Sequence, residues 1–372
     1  MCNSPLYRLV LVDGVAEKLP PKFRARVRGN GVIISRSEYE YFRDVVGVLP
    51  EHLQTIPCGC CLGCKTDYQN VWSTRIQLEA SLYKHNYFIT LTYNEENVPK
   101  TLLIDTVSGR TAFYNTLLKS DFSAFIKRLR ASLAYRRKSS CRFLACGEYG
   151  ENGLRPHFHF IGCDLDLSDL QYFYSKGRKG AFKTDYKAGD EVYYRSALVE
   201  QSWNNGFCLV ARVIPENCSY VASYVNKQVT PSEVKLSQTA ENYYVFSRDF
   251  GKPCSVMTAV NLGLLQSPFL HMSRRPGLAR AIFDREEQKY YFAFDTVKPR
   301  KNVKLFKKHF RYFDDILKKR HELLAVVLKD KRKRKTYSLD SYCQWDRSDL
   351  ALMQRREEVL LLKQKNKKKR EL

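Results

Sequence analysis

The 372-residue chain carries 63 Lys and Arg against 39 Asp and Glu, a formal net charge of +24, and 13% of its residues are aromatic. No apolar run approaches a membrane span, and Met1-Cys2-Asn3-Ser4-Pro5 lacks a charged-then-apolar leader, so a cytosolic protein without a membrane partner is expected. The charge excess points to a polyanionic partner and the rings can stack on unpaired bases, although ribosomal, capsid or membrane-surface proteins share such a balance.

Residues 1–65 form an N-terminal segment ending in a Cys-rich loop. Cys58, Cys61 and Cys64 are spaced by three, with Cys60 between them. Twelve cysteines in a long chain with no sign of secretion do not make a disulfide framework. C-x-x-C-x-x-C can wrap a structural Zn²⁺, with Cys60, His85 or a more distant Cys completing four ligands. A loop packed without metal and an iron–sulfur cluster are the alternatives. Val71, Arg75, Leu78 and Leu82 recur at helical spacing and predict a helix over 66–84. A strand over 87–93, rich in Ile, Thr and aromatics, follows. Residues 94–115 read as a loop or hairpin. Residues 120–136 form the clearest helix, with Phe122, Phe125, Ile126, Leu129 and Leu133 on one stripe.

Strands near 142–147 and 157–163 carry the first chemical motif. In His157-Phe158-His159-Phe160, strand alternation turns both imidazoles to one face and both phenylalanines into a core. Gly150, Asn152, Gly153 and Pro156 suit the intervening turn, across which Glu148 can reach the same ion. Two His and a carboxylate with open positions suit Mg²⁺ or Mn²⁺ better than a closed structural zinc site. Two partly buried histidines in an ordinary strand are the plainer alternative.

A short helix is expected near 168–175, a polar mobile loop over 176–192, and a turn at Trp203-Asn204-Asn205-Gly206 leading into a strand over 207–213. Pro215 and Glu216 then suit a helix start. On that helix Tyr220 and Tyr224 share a face, with Lys227 one turn on and Val221 and Val225 as the docking stripe. In a chain with 24 Tyr such a pair also arises as mere packing. The two motifs together describe one chemistry: a phenol attacks a DNA phosphodiester, forming a 5′-phosphotyrosine and freeing a 3′-hydroxyl. A metal on the phosphate assists the attack, and Lys227 offsets developing charge.

Residues 231–297 read as an accessory packing region. Residues 298–372 read as a basic, helical or partly disordered tail, with a last helix near 348–362 marked by Leu350, Met353 and Leu360. Its Lys and Arg runs suit phosphate contacts or simple solvation. The catalytic core is placed at 66–230, and the fold class is α+β, an antiparallel sheet flanked by helices.

These residues resemble the HUH endonuclease superfamily, and within it the replication initiation proteins of microviruses of the gokushovirus type. Phe88-Ile89-Thr90-Leu91-Thr92-Tyr93 resembles the first motif of such initiators. Glu148 with Pro156-His157-Phe158-His159-Phe160 resembles the metal-binding second motif, and Tyr220 to Lys227 the two-tyrosine third. Pro57-Cys58-Gly59-Cys60-Cys61-Leu62-Gly63-Cys64 and Ser273-Arg274-Arg275-Pro276-Gly277 resemble segments of the gokushovirus branch. The resemblance covers roughly residues 50–280. It implies a site-specific single-strand endonuclease and ligase that starts and ends rolling-circle replication of a small phage genome. The expected partners are single-stranded or supercoiled origin DNA and a host helicase and polymerase, in the host bacterial cytoplasm. A plasmid initiator or transposase of the same superfamily is a variant. A non-enzymatic single-stranded-DNA-binding protein with a zinc-stabilised Cys module is the competing expectation.

Overall fold

The computed structural model describes residues 6–10, 27–28, 31–46, 53–59, 61–105, 111–135, 140–150, 155–176, 182–183, 191–224, 243–246, 253–255, 266, 268–301, 303–305, 310–342, 358–359 and 361–362. The chain divides into two compact units, one of Met1–Tyr68 with Lys329–Leu372 and one of Gln69–Leu328.

The smaller unit holds strands β1 (Leu6–Val10), β2 (Val27–Arg28) and β3 (Gly31–Ile34), helix α1 (Arg36–Asp44) and strand β4 (Leu53–Ile56). The strands pair antiparallel in the order β2-β3-β1-β4. Tyr7 and Leu9 alternate inward along β1 and meet Val32, Ile34 and Leu53, with Tyr39 and Phe42 of α1 against them. Ser35 and Glu38 cap α1 reciprocally: Ser35 Oγ accepts from the Glu38 N–H at 3.2 Å, and Glu38 Oε2 accepts from the Ser35 N–H at 2.7 Å.

The larger unit is entered along α2 (Leu62–Ala80). Strand β5 (Asn86–Tyr93), the hairpin β6 (Lys100–Asp105) and β7 (Thr111–Asn115), and helix α3 (Lys119–Tyr135) come next. Then follow β8 (Arg142–Tyr149), β9 (Pro156–Cys163), β10 (Leu170–Lys176), β11 (Phe182–Lys183), β12 (Glu191–Ser196), α4 (Ala197–Trp203), β13 (Gly206–Arg212) and α5 (Pro215–Ser223). Strands β14 (Tyr243–Phe246), β15 (Pro253–Ser255) and β16 (Phe269–Met272) precede helices α6 (Gln288–Phe294), α7 (Arg311–Arg320) and α8 (Glu322–Tyr342). Eight strands form one antiparallel sheet in the order β11-β10-β12-β13-β5-β9-β8-β16, and β15-β14-β6-β7 form a second. The α+β class, with a large antiparallel sheet flanked by helices, is the one expected. Among the described residues no helix is long and apolar enough to cross a membrane.

Alternation along the central strands gives the large sheet two apolar faces. Ile89, Leu91, Phe158 and Phe160 point to one face, where α3 covers them with Phe122, Phe125, Ile126, Leu129 and Leu133, and α4 with Val199 and Trp203. This is the α3 stripe predicted from periodicity. Leu144, Cys146, Ile161 and Cys163 point to the other face, against Ile76 of α2 and Cys218 and Val221 of α5. A third cluster joins Leu78 to Ile282, Phe283, Tyr291, Phe310, Phe313 and Leu317. Lys318, Lys319 and Arg320 occupy the last turn of α7, where cations complement the helix dipole. The segment after β16 is tied in by polar bonds. Arg75 donates to the Leu278 carbonyl at 3.1 Å while its guanidinium lies over the Trp72 and Tyr312 rings. Buried Glu79 pairs with Arg142 and accepts from the Ala279 N–H.

The predicted strands and the 94–115 hairpin are present, and the helix expected over 66–84 runs earlier, over 62–80. The helix expected near 168–175 is a correction: these residues form β10, antiparallel to β12. A register shift between Tyr172 and Tyr174 breaks strict two-residue alternation, which hides the strand from periodicity. The Tyr-Phe-Tyr run suits a pleated surface, and Tyr174 stacks on Tyr193 across the pair with ring centroids 4.8 Å apart. Within the 176–192 stretch expected as a mobile loop, Phe182–Lys183 pair as β11, and β12 begins at Glu191. Leu350, Met353 and Leu360, the apolar positions of the expected last helix, lie outside the described residues.

The turn at 203–206 is built around two unusual backbones. Asn204 closes α4 in the left-handed region at φ 54°, and Gly206 follows at φ 149°. A Cβ on Gly206 would collide with the Thr92 carbonyl oxygen and the Asn94 nitrogen, both backbone atoms that cannot swing aside. Gly206→Ala is expected to destabilise the unit by about 1–3 kcal/mol. Thermal unfolding would show this as a lowered Tm, and an unchanged Tm would refute this account of the turn.

Candidate active site

The site grows from the pairing of β8 with β9. Their register sets Glu148 directly opposite His157 and Cys146 opposite His159. On the far side of β9, Thr90 of β5 lies opposite His159 and Thr92 opposite His157. The side chains of Glu148, His157 and His159 therefore share one face of the sheet. Glu148 Oε1 lies 2.8 Å from His157 Nε2 and 2.9 Å from His159 Nε2. The ligand-type atoms of the three residues all lie within 4.8 Å of one another.

Each ring is held from behind. His157 Nδ1 lies 3.1 Å from the Arg155 carbonyl oxygen, which can only accept, so Nδ1 carries the proton of that bond. His159 Nδ1 lies 2.8 Å from Thr90 Oγ1. Phe88 stacks on the His159 ring at 5.5 Å. Fixing Nδ1 by a second partner aims Nε2 at the shared point, as metal-binding histidines require. The donor set fits a divalent ion: two imidazole nitrogens and one carboxylate oxygen converge, with nothing else among the described residues closing the group. Burial alone would raise the Glu148 pKa, but hydrogen bonds from both histidines and their charge outweigh it and hold the carboxyl at about 2.

Helix α5 brings the tyrosines to the same place. Pro215 starts it, and the Ile214 N–H donates to Asn217 Oδ1 at 3.1 Å. Its apolar residues Cys218, Val221 and Ala222 are fully buried. Ser219 anchors the helix to α2, its hydroxyl 3.1 Å from Ser73 Oγ and its carbonyl accepting from Gln69 Nε2 at 3.0 Å. Tyr220 and Tyr224 meet edge to face with centroids 5.0 Å apart. Tyr220 Oη lies 3.4 Å from Glu148 Oε1 and its ring 5.2 Å from that of His159. The Tyr224 ring lies 6.3 Å from His159. Tyr220 is 40% exposed and Tyr224 only 4%. Burial, and then the negative charge of Glu148, raise both phenols above the usual tyrosine range.

Five of the residues singled out in the sequence thus come together: Glu148, His157, His159, Tyr220 and Tyr224. Lys227 and Val225 lie outside the described residues. Cys58, Cys61 and Cys64 form a separate group in the smaller unit. The partners missed in the sequence are Thr90, the Arg155 carbonyl, and Gln69 and Ser73. Alternation along β5 puts Thr90 on the face opposite Ile89 and Leu91, which is a readable signal. The other three depend on long-range pairing and carry no local mark.

Beside the buried edge of α5, a cavity of about 720 Å³ is lined in part by Lys84, His85, Arg212 and Lys301, with Tyr83 and Tyr87. None of its lining residues is acidic.

Residues 86–229, which contain every site residue of the larger unit, match the family model of the replication-associated protein ORF2. The chain is similar to the replication-associated protein ORF2 of Spiroplasma virus 4, 28% identical over 198 residues, covering 53% of this chain and 56% of that one. It is similar to the replication-associated protein VP4 of Bdellovibrio phage phiMH2K, 25% identical over 177 residues, with 46% and 48% covered. It is also similar to the replication-associated protein ORF4 of Chlamydia phage 1, 27% identical over 175 residues, with 46% and 38% covered. The matched stretch thus spans about half or less of these relatives' length. The resemblance to replication-associated proteins of microviruses is borne out. No solved structure matches the chain.

Thr90→Val keeps the shape of the side chain and deletes the hydroxyl that fixes His159. Its dissociation constant for Mn²⁺, measured by calorimetry, is expected to rise about 10–100-fold with the circular dichroism spectrum unchanged. Unaltered affinity would show that Thr90 does not orient the ring.

Proposed function

We propose that the chain is a metal-dependent, site-specific single-strand DNA nicking and joining enzyme that initiates and terminates rolling-circle replication of a small phage genome. The observation that carries this reading is the approach of the Tyr220 hydroxyl to within 3.4 Å of the carboxylate that also meets both histidines. A nucleophile and a metal-type donor set then share one small region of an otherwise apolar sheet face. The resemblance to replication-associated phage proteins supports the same reading, as does the +24 formal charge.

In this reading Glu148, His157 and His159 hold Mg²⁺ or Mn²⁺. When bound, the ion supplies positive charge that polarises the scissile phosphate and offsets the Glu148 carboxylate. The Tyr220 oxygen attacks phosphorus in line, the P–O3′ bond breaks, and a 5′-phosphotyrosine and a 3′-hydroxyl result. Tyr220 acts first, because it is the exposed phenol of the pair. Tyr224, packed beneath it, takes the second transfer after one round of synthesis. Lys227, three residues beyond Tyr224, offsets charge on the phosphate. The phosphotyrosine conserves the bond energy, so the 3′-hydroxyl can close the strand without ATP. Single-stranded or supercoiled origin DNA is the substrate, a host helicase and polymerase do the unwinding and synthesis, and the reaction takes place in the host bacterial cytoplasm.

Labelled single-stranded origin DNA incubated with the protein and Mn²⁺ should give a covalent adduct on the 5′ side of the nick, absent in EDTA. Tyr220→Phe should lose the first adduct, Tyr224→Phe should keep it, and the double variant should form none. Tight binding without any adduct would replace this reading by a non-enzymatic single-stranded-DNA-binding protein.

The cationic cavity beside α5 is proposed to hold DNA backbone next to the cut. Replacing Lys84, Arg212 and Lys301 together by Ala should flatten the plot of log K against log salt by about 2, the share of three single-strand phosphate contacts. An unchanged slope would place the strand elsewhere.

A further inference from the structure

The cysteines of this chain fall into two physical kinds. Cys141, Cys146, Cys163, Cys208 and Cys218 are buried among apolar side chains. Burial pushes the Cys141 and Cys218 thiols up to about 12, so these residues behave as small core hydrophobes. Cys58, Cys61 and Cys64 are different. They cluster at the start of α2, in a part of the smaller unit where the chain turns through Gly59 at φ 79°.

Cys58 Sγ accepts the Cys61 N–H at 3.3 Å, and Cys61 Sγ accepts the Cys64 N–H at 3.4 Å. Cys58 Sγ and Cys64 Sγ lie 4.0 Å apart, and the three sulfurs all lie within 4.8 Å of one another. That separation is far too long for a disulfide, whose sulfurs stand about 2.05 Å apart. It is close to the edge of a tetrahedron of thiolates around one zinc ion, about 3.8 Å for Zn–S bonds of about 2.3 Å. A cluster of several irons would hold its thiolates farther apart than a single ion does. The N–H groups aimed at sulfur and the positive end of α2 both favour thiolate over thiol.

We propose that Cys58, Cys61 and Cys64 bind one Zn²⁺ as a structural ion that fixes the start of α2. On binding, the three thiols lose their protons to solvent and three Zn–S bonds form; no electron is transferred. The fourth position is taken by a donor outside these three, since no further His, Cys or carboxylate among the described residues joins the group. This site is independent of the Glu148, His157 and His159 donors and of the nicking reaction.

The test is metal analysis of the full-length protein, purified without chelator, together with a Co²⁺ titration. One equivalent of zinc per chain is expected to survive buffer exchange. It should remain in a His157→Ala, His159→Ala background and fall below one-tenth equivalent in Cys58→Ser, Cys61→Ser and Cys64→Ser. Co²⁺ should give intense near-ultraviolet sulfur-to-metal charge transfer, which imidazole and carboxylate ligands do not produce. Should a Cys variant fail to fold, thiol counting replaces it: chelation of the wild type should expose three additional reactive thiols. Zinc absent from the wild type, zinc retained without the three cysteines, or iron and sulfide in its place would each overturn the proposal.

Discussion

The register between β8 and β9 is the constraint on which the site depends. Because side chains alternate along a strand, a slip of one residue in β9 would turn His157 and His159 toward α3 and drive Phe158 and Phe160 to the opposite face. The aromatic packing makes that slip costly. Phe158 and Phe160 are fully buried, and Phe122 alone meets both of them with ring centroids 5.5 and 5.8 Å away. The core therefore fixes the chemistry from the far side of the sheet. Rigid pairing with β5 then adds the hydroxyl that steadies His159, so the donors sit on regular strands rather than on a loop.

Helix α5 is the second half of the arrangement, and electrostatics links it to the first. A carboxylate buried this deeply stays ionised only because two imidazoles meet it. The same charge raises both phenols beyond the effect of burial. One residue therefore offers an oxygen to a cation and suppresses ionisation of the nucleophiles beside it. In the proposed reaction the two effects oppose each other until a cation arrives. Tyrosine reactivity then depends on occupancy of the donor set, which guards against unguided attack on DNA.

Much of this was legible in the sequence where the signal was local. The α3 stripe, the H-x-H alternation and the i,i+4 tyrosines each need only their own element. Proximity of Glu148 to the histidines needed one further guess, a turn between adjacent strands, and Gly150, Asn152, Gly153 and Pro156 supplied it. The remainder depends on partners distant in sequence. Strand β10 hides behind a register shift, and Ser219 finds Ser73 and Gln69 some 146 and 150 residues away. The four-stranded sheet near the N-terminus was not recognised, although Tyr7 and Leu9 alternate and Ser35 with Glu38 spells a capping box. Short strands separated by long intervening stretches leave little periodicity to read.

The cluster of Phe310, Phe313 and Leu317 against Leu78, Phe283 and Tyr291 bears on how the protein can be shortened. Lysine and arginine density makes everything after residue 298 look dispensable. Ending the chain there would uncover the aromatic surfaces of Phe283 and Tyr291 and remove Tyr312 from the face of Arg75. Such a fragment would keep all five catalytic and metal-type residues and still be prone to aggregate, because the helix that shields its hydrophobic flank is written in the most highly charged part of the sequence.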